Sequence, residues 1–473
     1  MREPGHEIER WQPRRRERGR IVVVGGGRAG VAAVEELRRL RFDGDIAVLH
    51  DEPTPPYDRP ACAKGLLTGH KRPVDALLRV HGADDVDWRL GRRAVGLDAR
   101  ARVVHTDTGE RFGYDGLVLA TGARPAPPAG WPMHEPGLHV LYRLSDAWRL
   151  RRELRDARRV AVVGAGLTGC EVAHAVRSLA RECVLIDPRP QALVRPLGEQ
   201  VGRLVTREIA RDGVQLKLGR RVSGLARGRR GWVLLLDDGD EVHADVVVST
   251  TGERPDTGWL AGTPGIDLSD GILCDETLRV VGLPGVVAAG TSARWPNLRY
   301  GTAPTRVGQW ITALEQGRAA ARTLLAGPAA APFTHVPRFW SDQFGLRIQV
   351  CGVLPAEAEV TVTEQHPGRR RPARAGVAVG YRVGGELVGL VAVNAPQAFT
   401  AITRTMLAAA GARTPAAPVA RPALTAVARP ALPAGPAAAG AGRRGAAAAL
   451  PLPAGPPPIS GPLPLGPRLY AVR

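Results

Sequence analysis

The sequence predicts an α/β fold with two doubly wound parallel sheets, followed by a small α+β domain and a disordered tail. Three observations carry this. Two β-branched runs end in glycine turns, Ile21-Val-Val-Val-Gly25-Gly-Gly27-Arg28-Ala29-Gly30 and Val160-Ala-Val-Val-Gly164-Ala-Gly166-Leu167-Thr168-Gly169. Each turn opens an Ala/Val/Glu/Arg helix pattern, and strands alternating with helices through glycine turns build parallel sheets covered on both faces. From about Pro332 the pattern changes to short alternating strands, and beyond Gly411 Pro, Ala, Gly and Arg dominate.

At 473 residues with 44% apolar content, the chain has room for two or three domains, each with its own core. Its five cysteines, Cys62, Cys170, Cys183, Cys274 and Cys351, never fall in a C-x-x-C spacing. That pattern indicates no zinc or other metal site and no local redox disulfide, and fits a reduced, cytoplasmic setting. No apolar run approaches the roughly 20 residues that span a bilayer, and the Arg- and Glu-rich start lacks a signal-peptide core, so no membrane role is expected. The net charge is +19, yet only Lys64, Lys71 and Lys217 among 65 basic residues are lysine. This reads as coding bias from a GC-rich genome. Without a recognition motif the charge does not indicate nucleic acid, although it suits an acidic protein partner.

Taken in order, residues 1–19 form a polar, disordered arm. The first domain runs over 20–125, with a strand before Gly25, a helix, a strand from Asp45 to His50, a Pro-rich loop and short strands. Leu117-Val-Leu-Ala-Thr121-Gly122 ends it and marks a crossing to the second domain, 126–252. That domain repeats the strand-turn-helix unit from Arg159, continues through Glu182 to Ile186, and closes at Val246-Val-Val-Ser-Thr-Thr251-Gly252. Residues 253–331 return to the first domain through a buried strand, Gly285 to Gly290, and a helix begun by Trp310. Residues 332–410 form the C-terminal domain, with strands at Arg347–Cys351, Glu359–Val362, Val377–Val383 and Leu387–Val393, then a helix behind Pro396. Residues 411–473, dominated by Pro, Ala, Gly and Arg with almost no aromatics, form the tail.

The glycine turns carry chemistry. Their spacing permits a tight turn and close approach of a pyrophosphate, which the free N–H groups of the following helix bind. Two such Rossmann-like units on one chain imply two dinucleotides and electron transfer between them. An acid some 20 residues on should hold a ribose hydroxyl: Glu52 with its neighbour Asp51 in the first unit, Asp187 in the second. A carboxylate at Asp187 favours NADH and repels the 2′-phosphate of NADPH, whereas Arg189 two residues on could bind it.

An ordered set of segments then carries a resemblance. Tyr57-Asp-Arg59-Pro-Ala-Cys-Ala-Lys64-Gly-Leu-Leu, Ala-Thr121-Gly122-Ala-Arg-Pro, Thr-Gly252-Glu-Arg-Pro, Asp-Gly-Ile-Leu-Cys-Asp275-Glu276, Ala-Ala-Gly290 and Arg-Phe-Trp340-Ser-Asp342-Gln343 together resemble the FAD-dependent ferredoxin reductases. These serve bacterial Rieske-type oxygenases and cytochrome P450 systems, within the pyridine nucleotide-disulfide reductase superfamily. The likeness runs from about Arg20 to Ala410.

The resemblance implies FAD at Gly25, Gly27, Arg28, Ala29 and Gly30, and NAD(P)H at Gly164, Gly166, Leu167, Thr168 and Gly169, with the C-terminal domain over the flavin edge. Arg59 and Lys64 match the flavin-binding loop. Lys64 would lie near flavin N5, paired with Glu171, where a fixed cation stabilises charge gained on reduction. Trp340 would face the flavin. Thr121, Gly122, Gly252, Gly290 and Thr291 match further cofactor contacts, but Thr291 stands where the family has an Asp for the ribityl chain. The superfamily's redox cysteine pair is reduced to Cys62 alone, here a small packing residue. Electrons should therefore leave from the flavin itself.

The expected function is transfer of hydride from NADH to FAD and of single electrons to a ferredoxin-type iron–sulfur protein feeding an oxygenase or P450. Two alternatives remain: a flavin- or NADH-binding regulatory protein with little turnover, and a reductase for a small-molecule acceptor such as a quinone.

Overall fold

The computed structural model describes residues 19–365 and 376–411. The expected N-terminal arm and C-terminal tail lie outside the described residues, apart from their inner edges.

Two five-stranded parallel sheets share the order of four strands, while the fifth, edge strand comes last in the chain in the first sheet and first in the second. The first orders its strands Val286–Ala288, Gly116–Leu119, Arg20–Val24, Asp45–His50 and Asp87–Leu90. The second runs Gln215–Leu218, Glu182–Asp187, Arg159–Val163, Val246–Ser249 and Leu138–Val140. Both sheets are sandwiched between other layers, so their central strands are apolar on both faces and almost wholly buried. Each such Val or Leu contributes about 1.5–3 kcal/mol by leaving water.

Helix Arg28–Arg39 packs against helix Trp310–Ala326 of the returning segment. Their approach is close enough that a methyl group on Gly317 would sit 2.1 Å from the Ala29 carbonyl oxygen. The two chain crossings pair with each other, Ala123–Pro125 against Glu253–Pro255, and Thr121 Oγ1 donates to the Asp256 carbonyl at 2.7 Å.

The C-terminal sheet is antiparallel, in the order Arg338–Gln343, Leu346–Gly352, Glu386–Val393, Gly376–Val383 and Glu359–Gln365, backed by helix Pro396–Gly411. It docks on the second parallel-sheet layer. There the Tyr381 hydroxyl donates to the Leu197 carbonyl at 2.7 Å, where helix Val194–Arg211 kinks at Gly198 (φ 76°).

Two features differ from the sequence reading. The strand expected over Gly285–Gly290 is shorter, Val286–Ala288, because Gly290 adopts φ 80° and turns the chain. Sequence reasoning also missed the antiparallel meander Val222–Arg227, Trp232–Leu236 and Glu241–Ala244. Its central strand, Trp-Val-Leu-Leu-Leu, is apolar on both faces with Leu235 exposed, so the two-residue alternation that signals a half-buried strand is hidden.

Candidate active site

Both glycine turns are built alike. Gly25 (φ 113°) and Gly164 (φ 108°) take conformations that side chains resist, and a methyl group would meet the Ala120 carbonyl oxygen at 2.1 Å or that of Thr250 at 2.6 Å. Gly30 and Gly169 let each helix press onto the turn, where a methyl would fall within 2 Å of the Gly25 or Gly164 carbonyl oxygen. By contrast Gly27 and Gly166 face open space, with nothing within 4 Å of an added methyl. These two glycines are also the N-caps of helices Arg28–Arg39 and Leu167–Ser178, and neither helix start carries a side-chain cap. Each helix therefore presents free N–H groups and its positive end to an open cradle, which fits a pyrophosphate.

The flanking residues differ in their state. Arg28 pairs with Glu35 at 3.1 Å and lies 5.3 Å over the Trp310 ring, while Ala29 is buried. Leu167 is half-buried and Thr168 exposed at the second helix start.

The acids behave unlike one another. Glu52, expected to hold a ribose hydroxyl, is 3% exposed and has both carboxylate oxygens engaged, accepting from the Tyr57 hydroxyl and from Arg59 at 2.8 Å each. Arg59 stacks 4.0 Å over Tyr142 and also donates to its carbonyl, so Glu52 clamps the loop instead of opening to the cradle. Asp51 is held by Arg124 at 3.1 Å and Arg143 at 2.5 Å; burial pushes its carboxyl pKa up, but the two guanidiniums outweigh this and hold it low. Asp187 is buried at its strand end and accepts the backbone N–H groups of Ala165 and Arg189 at 2.8 Å each, with the Arg189 guanidinium 3.6 Å away. A carboxylate has about four acceptor sites, so Asp187 retains capacity for a hydroxyl.

Three segments meet on helix Leu167–Ser178. Lys64 Nζ lies 3.1 Å from Glu171 Oε1, joining the loop after the first unit to the second fingerprint's helix. Ser341 of the C-terminal sheet donates its hydroxyl to the same Glu171 oxygen at 2.5 Å, and the Gln343 amide donates to Ser341 at 3.1 Å. Phe344 N donates to His174 Nδ1 at 3.2 Å on that helix. Sequence reading found Lys64 and Glu171 but not the Ser341 link, which spans 170 positions and has no local signature.

Trp340, one residue before Ser341, is 48% exposed and so is not a core-packing residue. Gly290 N donates to the Gln316 side-chain oxygen at 2.8 Å, and the Thr291 carbonyl accepts from Arg306 at 3.1 Å. Gly122 and Gly252 lie at the paired crossings, where Ala126 N donates to the Gly252 carbonyl and Asp256 N to that of Gly122. All five cysteines are free and buried, and burial pushes the Cys62 thiol up to about 12, so it carries no thiolate at neutral pH. Among the described residues no helix is long and apolar enough to cross a membrane.

Two pyrophosphate cradles on one chain, joined by a charge-paired bridge, define a pyridine-nucleotide-linked oxidoreductase. The chain belongs to the pyridine nucleotide-disulphide oxidoreductase family, whose model matches residues 19–317, and a reductase C-terminal model matches 338–426. It is 32% identical to the ferredoxin–NAD(+) reductase component of a biphenyl dioxygenase system from Paraburkholderia xenovorans, over 81% of this chain and 92% of that one. It is 33% identical to the corresponding component of an anthranilate 1,2-dioxygenase system from Burkholderia cepacia, over 83% and 94%. Among solved structures, the covalent putidaredoxin reductase–putidaredoxin complex matches at 26% identity and a TM-score of 0.74, over 82% of this chain and 92% of that one.

Proposed function

We propose that this chain is an FAD-containing, NADH-dependent reductase that passes single electrons to a ferredoxin-type iron–sulfur protein, itself feeding an oxygenase or cytochrome P450. The supporting observation is the Lys64–Glu171–Ser341 bridge, which ties a cation of the loop after the first cradle to the helix that starts at the second. Bound FAD would supply the chemistry that couples a hydride donor to a one-electron acceptor.

The chain's own residues then have defined tasks. Gly27 and the uncapped start of helix Arg28–Arg39 hold the FAD pyrophosphate, while Gly166 and helix Leu167–Ser178 hold that of NADH. Asp187 accepts from the NADH ribose, and its negative charge disfavours a 2′-phosphate. Lys64 supplies positive charge against the electron-rich reduced state, with Glu171 and Ser341 fixing its ammonium in place. Trp340, half-exposed, would cover the bound group. The arginine-rich surface attracts an acidic iron–sulfur protein. Five free, buried thiols fit a reducing cytoplasm.

The test is anaerobic mixing of the FAD-loaded protein with NADH and with NADPH, followed by a ferredoxin. Prompt bleaching by NADH, slower bleaching by NADPH and salt-sensitive ferredoxin reduction are expected. Protein that stays colourless after FAD supplementation would sink the reading, and equal rates with a quinone and a ferredoxin would replace the protein acceptor with a small molecule.

A further inference from the structure

The two parallel sheets can be superposed residue by residue at their switch points. Val24 pairs with Leu49 as Val163 pairs with Ile186, and Gly25 N donates to the Leu49 carbonyl at 2.8 Å as Gly164 N does to that of Ile186. The residue after Leu49 is His50, and the residue after Ile186 is Asp187. The match extends to their side chains, since Gly26 N donates to His50 Nδ1 at 3.3 Å where Ala165 N donates to Asp187 at 2.8 Å. His50 therefore stands in the first cradle at the position that Asp187 holds in the second.

The chemistry of the ring is fixed by that bond. Nδ1 accepts, so in the neutral imidazole the proton sits on Nε2, which becomes a donor. His50 is 3% exposed, and its Nε2 is buried without a hydrogen-bond partner. Buried donors are normally satisfied, so an orphan on the ring that supports the Gly26 turn calls for an acceptor supplied by a ligand. Of the neighbouring acids, Glu52 is taken up by Tyr57 and Arg59, and Asp51 pairs with Arg124 and Arg143 through Oδ2 while its Oδ1 lies 4.0 Å from His50 Nδ1; neither hydrogen-bonds Nε2.

Building on the assignment of FAD to this cradle, we infer that His50 Nε2–H donates to a hydroxyl oxygen of the adenosine ribose, so that a neutral donor reads the first dinucleotide where the anionic Asp187 reads the second. The difference has a chemical rationale. The second cradle must reject a 2′-phosphate, and a carboxylate does so; FAD carries none, so the first cradle needs only a hydrogen bond.

The test is equilibrium titration of apo-protein with FAD and with FMN, which lacks the adenosine half, followed by flavin fluorescence. His50→Asn keeps an acceptor for Gly26 N but loses the distal donor; His50→Gln keeps a distal N–H donor. The inference expects His50→Asn to weaken FAD about tenfold and leave FMN unchanged, with His50→Gln within about fivefold of wild type. FAD binding by His50→Asn equal to wild type would overturn it, as would equal losses of FAD and FMN, which would make His50 a prop for the Gly26 turn. Wild-type protein binding neither flavin would instead overturn the FAD assignment, and the inference with it.

Discussion

In the first cradle Glu52 and Asp51 are held by side chains, Tyr57, Arg59, Arg124 and Arg143, while in the second Asp187 is held by the backbone N–H groups of Ala165 and Arg189 beside its own turn. Both turns have the same glycine geometry, and their sheets share the order of four strands. What separates them is where carboxylates are spent. Side chains locked across segments suit a group that stays bound, and an acid held only by its own turn suits one that arrives and leaves. On the proposed assignment, the same Rossmann unit would serve a resident cofactor and a visiting substrate with differently held side chains at the strand end.

The sharpest way to break this comparison is to remove one acid from each side. Glu52→Ala leaves Arg59 partly buried without its anion, and truncating one partner of a buried pair typically costs about 3–5 kcal/mol, here toward the lower end because Arg59 is partly solvated. Chemical unfolding should show that loss. Asp187→Ala should lose only about 1–2 kcal/mol, the scale of its hydrogen bonds to backbone. Equal stability losses would mean that both acids are structural and the distinction fails.

Next in size is affinity. Asp187→Ala removes the ribose acceptor, so the KM for NADH should rise about tenfold and the preference over NADPH should narrow, with FAD content unchanged. Steady-state kinetics with both nucleotides reads this. A variant that loses FAD as well would place Asp187 in the general architecture of the chain and not at a substrate mouth.

Sequence reached the two cradles because everything that makes them is local: a β-branched strand, three glycines and a helix start lie within ten residues. It reached Lys64 and Glu171 through a resemblance, and the structure brings them to 3.1 Å. Glu52 shows where local reading stops. Its distance from Gly30 suits a ribose, but the choice among ribose, Tyr57 and Arg59 depends on how the loop folds back across the switch point. His50 was overlooked because a carboxylate was sought; counting from the paired strand ends, Val24 with Leu49, would have found it. Ser341 was beyond reach, since nothing near it in the chain signals a contact with Glu171.

Ser341 also offers a smaller test, of the bridge between cradles. Ser341→Ala removes one hydrogen bond to Glu171 and leaves Lys64 paired, so Lys64 should be held less firmly. The expected effect is about 0.5–1 kcal/mol, seen as a two- to fivefold slower reduction by NADH and a lowered flavin reduction potential at full FAD occupancy. Ser341→Thr should restore both. A slower rate with an unmoved potential would mean that Ser341 only docks the C-terminal sheet.

The mildest expected effect is a pH dependence confined to the first cradle. Burial holds the His50 imidazole below its ordinary pKa of about 6.5; Glu52 and Asp51 oppose this, and Arg59 and Arg143 reinforce it. A histidine depressed in the folded state binds fewer protons than in the unfolded chain, so its contribution is complete above the ordinary imidazole range and declines as pH falls below it. Protonation would also turn Nδ1 into a donor facing the Gly26 N–H, forcing the turn and the ring apart. FAD affinity should therefore drop about two- to threefold between neutral and mildly acidic pH, a loss of roughly 0.5 kcal/mol, while FMN affinity over the same range stays flat. His50→Asn, which does not titrate, should abolish the slope. If the slope survives in that variant, another buried histidine governs it, and the contrast between a neutral first reader and an anionic second one loses its pH signature.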